Sequence, residues 1–238
     1  MDRRFLGILG AVIIIFIGIF AISQHSSNKP GSGSSGQVSN HVEGGGSSGV
    51  TLVEYGDYEC PICDEYYQPL KQAVADNLSQ IHFQFKNLPL TSIHPNAFAG
   101  ARAAEAASLQ SKYWQMHDKL YDNQSSWVNL SNPQSAFDQY AQAIGLNVSQ
   151  FDTDYASGKV NDAINADLSA FAKTGLPQAT PTFFLDGTYQ DNTKLIDSTT
   201  GSPTAAKISS VLKAEITKKA TAAKPASTQN SASSGNPY

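Results

Sequence analysis

The chain holds only two cysteines in 238 residues, and they stand three apart as Cys60-Pro61-Ile62-Cys63. A single pair builds neither a disulfide-rich scaffold nor a four-thiolate zinc site. Half a zinc site would need further ligands, and His25, His41, His82, His94 and His117 show no ligand spacing. The ring that the pair can close is a poor staple, because so short a loop removes little chain entropy from the unfolded state. A structural pair of buried thiols is the bland alternative; reversible redox chemistry is the sharper one.

The flanks favour redox use. Residues 50–55 (VTLVEY) read as a buried strand ended by Gly56, and Pro61 suits the first position of a helix reaching about Leu78, which Pro69 would kink or pause. Cys60 at the helix amino end would have its thiolate stabilised by free N–H groups and the partial positive charge there. Cys63, a turn further in, would be the shielded resolving thiol. Asp57, Glu59, Asp64 and Glu65 would oppose thiolate formation if buried close by, and are expected to be mostly solvated.

Residues 5–22 are eighteen uncharged, mostly aliphatic residues preceded by Arg3 and Arg4. As a helix the run is about 27 Å long, close to a hydrocarbon core of about 30 Å. We expect residues 1–22 to be a cytoplasmic stub and membrane anchor that leaves the rest outside; a cleaved signal peptide is the competing reading. Residues 23–49, dense in Gly and Ser, read as a flexible linker, residues 50–219 as the folded domain, and residues 220–238 as a disordered tail. The net charge of −4, with no basic run longer than the pairs Arg3-Arg4 and Lys218-Lys219, argues against nucleic-acid binding.

Within the domain a second strand is expected at 81–86. Helical patterns follow near 97–109, 113–121, 136–144 and 160–172, then a strand at 182–185 with a turn at Asp186-Gly187, and a closing helix at 205–219. The class is α/β.

GDYECPIC after the VTLVEY strand, NLPL then HPNAFAGARAAEAA, and ATPTFFLDG occur in one order along residues 50–219. In these blocks the chain resembles the membrane-tethered thiol–disulfide oxidoreductases of the DsbA type. The resemblance implies a thioredoxin-like fold with a helical domain inserted at about 97–175. It makes Cys60 the nucleophile, Cys63 the resolving thiol and Glu54 a buried acid that relays protons. Thr180-Pro181 becomes a cis-proline loop that contacts substrate together with Pro61 and Ile62. Ile62 stands where the best-known oxidant of the family has histidine, and Ala179 where glycine is common. Tyr58 and His94 are further candidates for the surroundings of the disulfide.

The implied activity is extracytoplasmic oxidation of reduced exported proteins, with no metal or cofactor beyond the Cys60–Cys63 disulfide. A quinone-linked membrane partner would reoxidise the pair. A reductase or isomerase of the same fold, and a non-catalytic tethered module that binds client proteins, are the alternatives.

Overall fold

The structure, a computed structural model, describes residues 40–223. The expected anchor at 5–22, the linker up to residue 39 and the tail from residue 224 lie outside the described residues. Among the described residues no helix is long and apolar enough to cross a membrane.

A five-stranded sheet in the order β1-β3-β2-β4-β5 forms the frame. β2 (Val50–Gly56) and β3 (Ile81–Asn87) are parallel, in register from Val50–Ile81 to Gly56–Asn87. Parallel neighbours need a crossover, and α1 (Pro61–Asn77) supplies it. β4 (Thr182–Leu185) lies antiparallel on the other edge of β2 and β5 (Thr188–Gln190) beyond it, joined through Asp186 and Gly187, both at positive φ. β1 (His41–Glu43) runs antiparallel to β3 at the far edge.

Strand periodicity sorts the core. Val50 and Leu52 of β2 join Ile81, Phe83 and Phe183 against α1 and the last helix, Ala205–Ala223, while Tyr55 turns to the opposite face with Leu88 and Phe171. Glu54, in step with Val50 and Leu52, therefore points to the face that α1 covers. Between β3 and β4 the chain forms α2 (Ala97–Ser108), α3 (Tyr113–Asp122), α4 (Gln124–Trp127), α5 (Gln134–Ala143), α6 (Val148–Tyr155) and α7 (Gly158–Ala172); the closing helix is α8. This block has its own core around Met116, Trp127, Phe137 and Phe151. The fold is thioredoxin-like with a helical insertion.

Two expectations about boundaries need correction. Residues 41–49 are part of the fold, not linker. His41–Glu43 pair with β3, and Gly45 N–H and Ser48 N–H donate to the carbonyls of Leu78 and Gln80. The glycines here serve close approach: a Cβ on Gly44, at φ +96°, would stand 2.2 Å from Ile81 O. Composition alone reads such a segment as tether. At the other end α8 continues to Ala223, past the expected start of the tail. α1 also runs without interruption through Pro69, so the expected pause is absent.

Candidate active site

β2 delivers the chain into a tight loop, Asp57 to Cys60, which α1 then fixes. Cys60 is the N-cap residue with extended backbone (φ −69°, ψ 122°), and Pro61 follows in the first turn. Its N–H donates to Asp57 O at 3.1 Å and its carbonyl accepts from Asp64 N–H at 3.2 Å. Gln124 of α4 donates through Nε2 to the carbonyls of both Tyr58 and Cys60, each at 3.0 Å. The loop is thus held by the sheet, by its own helix and by the inserted block.

The two sulfurs are not equivalent. Cys60 is 5% exposed and Cys63 1%. The Cys60 thiol is lowered to about 6: the hydrogen bond with Cys63 is the largest cause, burial opposes it, and Thr180 and the amides of Cys63 and Ile62 add to the lowering. Helix-end amides therefore contribute, as expected, but the partner thiol contributes more. Burial pushes Cys63 well above the ordinary thiol value, reinforced by its hydrogen bond to Cys60 and by the nearby charges of Cys60 and Glu54. The same helix turn makes one thiol acidic and keeps the other protonated.

Glu54 is 4% exposed, beneath α1 in a cavity that it shares with Cys63. Burial, then the Cys60 charge, raise its carboxyl to about 8. Thr180 reaches the pair from the opposite side: Cys60 Sγ lies 3.6 Å from Thr180 O, and the Thr180–Pro181 peptide is cis. Asn192 Nδ2 donates to Pro181 O at 2.8 Å and ties that loop down. Pro61 and Ile62 lie on the surface, Ile62 at 47% exposure, so an apolar side chain flanks the buried sulfur. Tyr58, by contrast, is fully packed inside, its hydroxyl donating to the Tyr113 hydroxyl.

Of the four acids around the motif only Asp57 is buried; Glu59 and Asp64 are partly exposed and Glu65 is exposed. Asp57 is 1% exposed, accepting from Glu59 N–H and Leu90 N–H and pairing with His94 Nδ1 at 2.7 Å. Glu59 accepts from Asn96 N–H at 2.5 Å. Both carboxylates are spent on backbone amides, and they strap the 90–96 loop to the cysteine loop. Sequence reasoning missed this bracing, Gln124 and the buried His117. Asp57, Glu59, His94 and Asn96 lie in the quoted blocks, but nothing in those blocks shows that they pair with one another, and Gln124 and His117 lie in no block at all. No group of three or more His, Cys, Asp or Glu that could hold a metal occurs among the described residues.

Comparison with known proteins bears on this geometry. A family model described as Thioredoxin matches residues 37–201. Over 151 residues, 62% of this chain, the sequence is 36% identical to Na(+)/H(+) antiporter NhaA 1 of Mycolicibacterium vanbaalenii. That match covers 23% of the antiporter, so the chain spans less than a quarter of the length of such curated relatives. Among solved structures, alpha-DsbA1 from Wolbachia pipientis superposes with a TM-score of 0.62 at 18% identity, covering 79% of this chain and 98% of that one. Oxidised BdbD from Bacillus subtilis gives 0.57 at 20% identity, covering 75% and 91%. These likenesses establish a common fold.

Proposed function

The chain belongs to the thioredoxin family, and from that premise we propose that it is a thiol–disulfide oxidase that gives its Cys60–Cys63 disulfide to reduced exported proteins. One observation carries the direction: Cys60 is acidic, at about 6, while Cys63 is held protonated. At pH 7 a thiol near 6 is about 90% thiolate. Stabilising that thiolate stabilises the reduced pair, by about 1 kcal/mol or about 20 mV at neutral pH after allowance for screening. The protein is then a better acceptor of electrons than an ordinary dithiol. The fold it shares with DsbA-type chains supports the same reading.

The chemistry follows from which sulfur is reachable. A substrate thiolate attacks Cys60 Sγ; the S–S bond breaks, a mixed disulfide forms on Cys60, and Cys63 leaves with the electron pair. Glu54, protonated below about pH 8, lies in the same cavity to hand Cys63 its proton. A second substrate thiolate attacks the substrate sulfur of the mixed disulfide and releases Cys60 as its stabilised thiolate. The substrate gains a disulfide and the enzyme two electrons. The exposed Pro61 and Ile62 and the partly exposed Thr180 beside Cys60 supply the surface on which the substrate segment rests, and the buried Pro181 fixes the Thr180 loop beneath it.

The apolar run at 5–22 behind Arg3 and Arg4 supports placing this domain on the extracytoplasmic side of a membrane, attached by that run. The reduced pair is returned to disulfide by a quinone-linked membrane partner, as the DsbA resemblance implies. The deciding experiment uses the full chain with a reduced test protein. Cys60→Ala abolishes disulfide formation, and the potential of the pair lies well above the roughly −270 mV of a cytosolic reductant. Undiminished oxidation by the variant overturns the redox role, and a potential near that reductant overturns the oxidase direction.

A further inference from the structure

The cavity behind the cysteines, about 170 Å³, is longer than the exchange between Glu54 and Cys63 requires. It runs beside α1 from Glu54 and Cys63 to a rim formed by Glu43, Lys71 and Asp118. Lys71 lies eight residues beyond Cys63, about 12 Å along the helix. Its Nζ pairs with Asp118 Oδ2 at 2.9 Å, where both side chains are partly open to solvent. The inner end is buried and acidic, the outer end charged and wet, and the walls between them are apolar.

His117 of α3 lines this cavity and is unusual. It is 5% exposed, and neither ring nitrogen has a hydrogen-bond partner. Rings surround it: Phe85 at 4.9 Å, Tyr121 at 5.1 Å, Trp114 at 5.2 Å and Tyr58 at 5.6 Å between centroids. Asp118 Oδ1 is 3.5 Å from Nδ1 without hydrogen-bond geometry. A buried imidazole with Nε2 unmet and Nδ1 facing only a carboxylate at 3.5 Å is costly, and native proteins satisfy such groups with ordered water. A cavity of this size with polar groups along it has room for several waters.

We propose that His117 positions a water chain that carries protons between Glu54 and the Glu43–Lys71–Asp118 rim. The inference rests on the thiol–disulfide reading of the cysteines. When Cys63 leaves as a thiolate it takes the Glu54 proton, and Glu54 must regain one from solvent while the mixed disulfide covers the Cys60 side. When Cys63 attacks a mixed disulfide, Glu54 first releases its own proton along the same path and then, as carboxylate, takes the proton of Cys63. A neutral imidazole suits the middle of such a path, because it accepts a proton at one nitrogen and releases one at the other. Burial holds His117 below its ordinary value, against the raising influence of Asp118, so it is neutral at working pH. The ionisable groups facing it are Glu54 of β2, Glu43 and His41 at β1, Cys63, Tyr67 and Lys71 of α1, Asp118 and Tyr121 of its own helix, Tyr58 before α1, and Tyr113.

Reduced full-length protein reacting with dithiobis-nitrobenzoate separates the two thiols. Cys60 attack releases the first dye thiolate, and Cys63 attack on the mixed disulfide, which requires loss of the Cys63 proton, releases the second. In His117→Phe, which keeps an aromatic ring but no nitrogen, the first release should be unchanged. The second should slow on the order of tenfold to a hundredfold and rise more steeply with pH than in the parent, as direct loss of the Cys63 proton to hydroxide takes over. In His117→Ala the slow second release should recover with added imidazole, whereas His117→Phe should not respond. Parent-like second release and pH profile in His117→Phe overturn the proposal, as does failure of imidazole to restore a folded His117→Ala protein. If His117→Ala does not fold, the Phe variant decides alone. Oxidation that persists in Cys60→Ala overturns the thiol reading itself. Oxidation that requires Cys60 but proceeds normally in His117→Phe overturns only the relay.

Discussion

Cys63 acts on Cys60 before any substrate arrives, because its thiol is the largest contributor to the acidity of its neighbour. Removing that thiol while leaving the helix intact should therefore raise Cys60. In Cys63→Ala we expect the alkylation midpoint of Cys60 to climb by about one unit or more from about 6, measured as iodoacetamide rate against pH. Glu54 offers a separate test. Its carboxyl is raised from 4.5 to about 8 by burial. A raised acid gives stability that is fully present below 4.5 and declines as pH rises through 8. Glu54→Gln removes that penalty. Urea unfolding should find the variant more stable by a few kcal/mol at pH 8–9 and little changed at pH 4, while its Cys63-dependent step slows. The cysteines and Glu54 were legible because each lies in a short run whose spacing carries chemistry. His117, Gln124 and the buried bracing role of Asp57 were not. Their roles depend on which surfaces meet across the sheet and the inserted block, and no local pattern records that.

At the scale of elements, the strands and helices that sequence placed best are those with strong periodicity or sharp punctuation. β3 alternates, β2 is a β-branched and aromatic run ended by Gly56, β4 is followed by the Asp186-Gly187 turn, and α1 and α2 begin beside Pro61 and Asn96. β1 escaped because three residues flanked by Gly and Ser carry no period. Tertiary partners hold it: His41 Nε2 lies 3.0 Å from Glu105 Oε1, its ring stacks on Tyr113, and Glu105 also accepts from Asn87 Nδ2 at 2.6 Å. Glu105 is buried, so Glu105→Ala would strip Asn87 and His41 of their shared acceptor. A loss of about 2–4 kcal/mol is expected, read by urea unfolding, with faster amide exchange at His41–Glu43. Gly44→Ala should destabilise the same edge by about 2 kcal/mol or more, since its positive φ and its approach to Ile81 O both exclude a side chain.

For the whole molecule, the thiolate links redox state to stability. Cys60 has a depressed value, so its contribution to the reduced protein is largest above the ordinary thiol range and disappears as pH falls through about 6. At pH 7 the reduced form should gain about 1 kcal/mol from this source, after screening. The gap in melting temperature between reduced and oxidised protein should narrow by a few degrees between pH 7 and pH 5. A gap that widens on acidification would show that another group sets it. Glu54 varies in the opposite sense; the burial part of its shift is common to both redox forms, and only the part due to the Cys60 charge differs between them.

The helical block leaves the sheet after β3 and returns into β4, the two strands on either side of β2. The groups that acidify Cys60, namely Cys63, Thr180 and the Ile62 amide, all lie outside that block. The block is therefore a cassette in the genetic sense: one contiguous stretch of gene encodes it, and both of its junctions lie off the strand that leads to the sulfurs. Changes in its length or outer surface leave the groups that acidify Cys60 in place, provided Gln124 keeps its hold on the Tyr58 and Cys60 carbonyls.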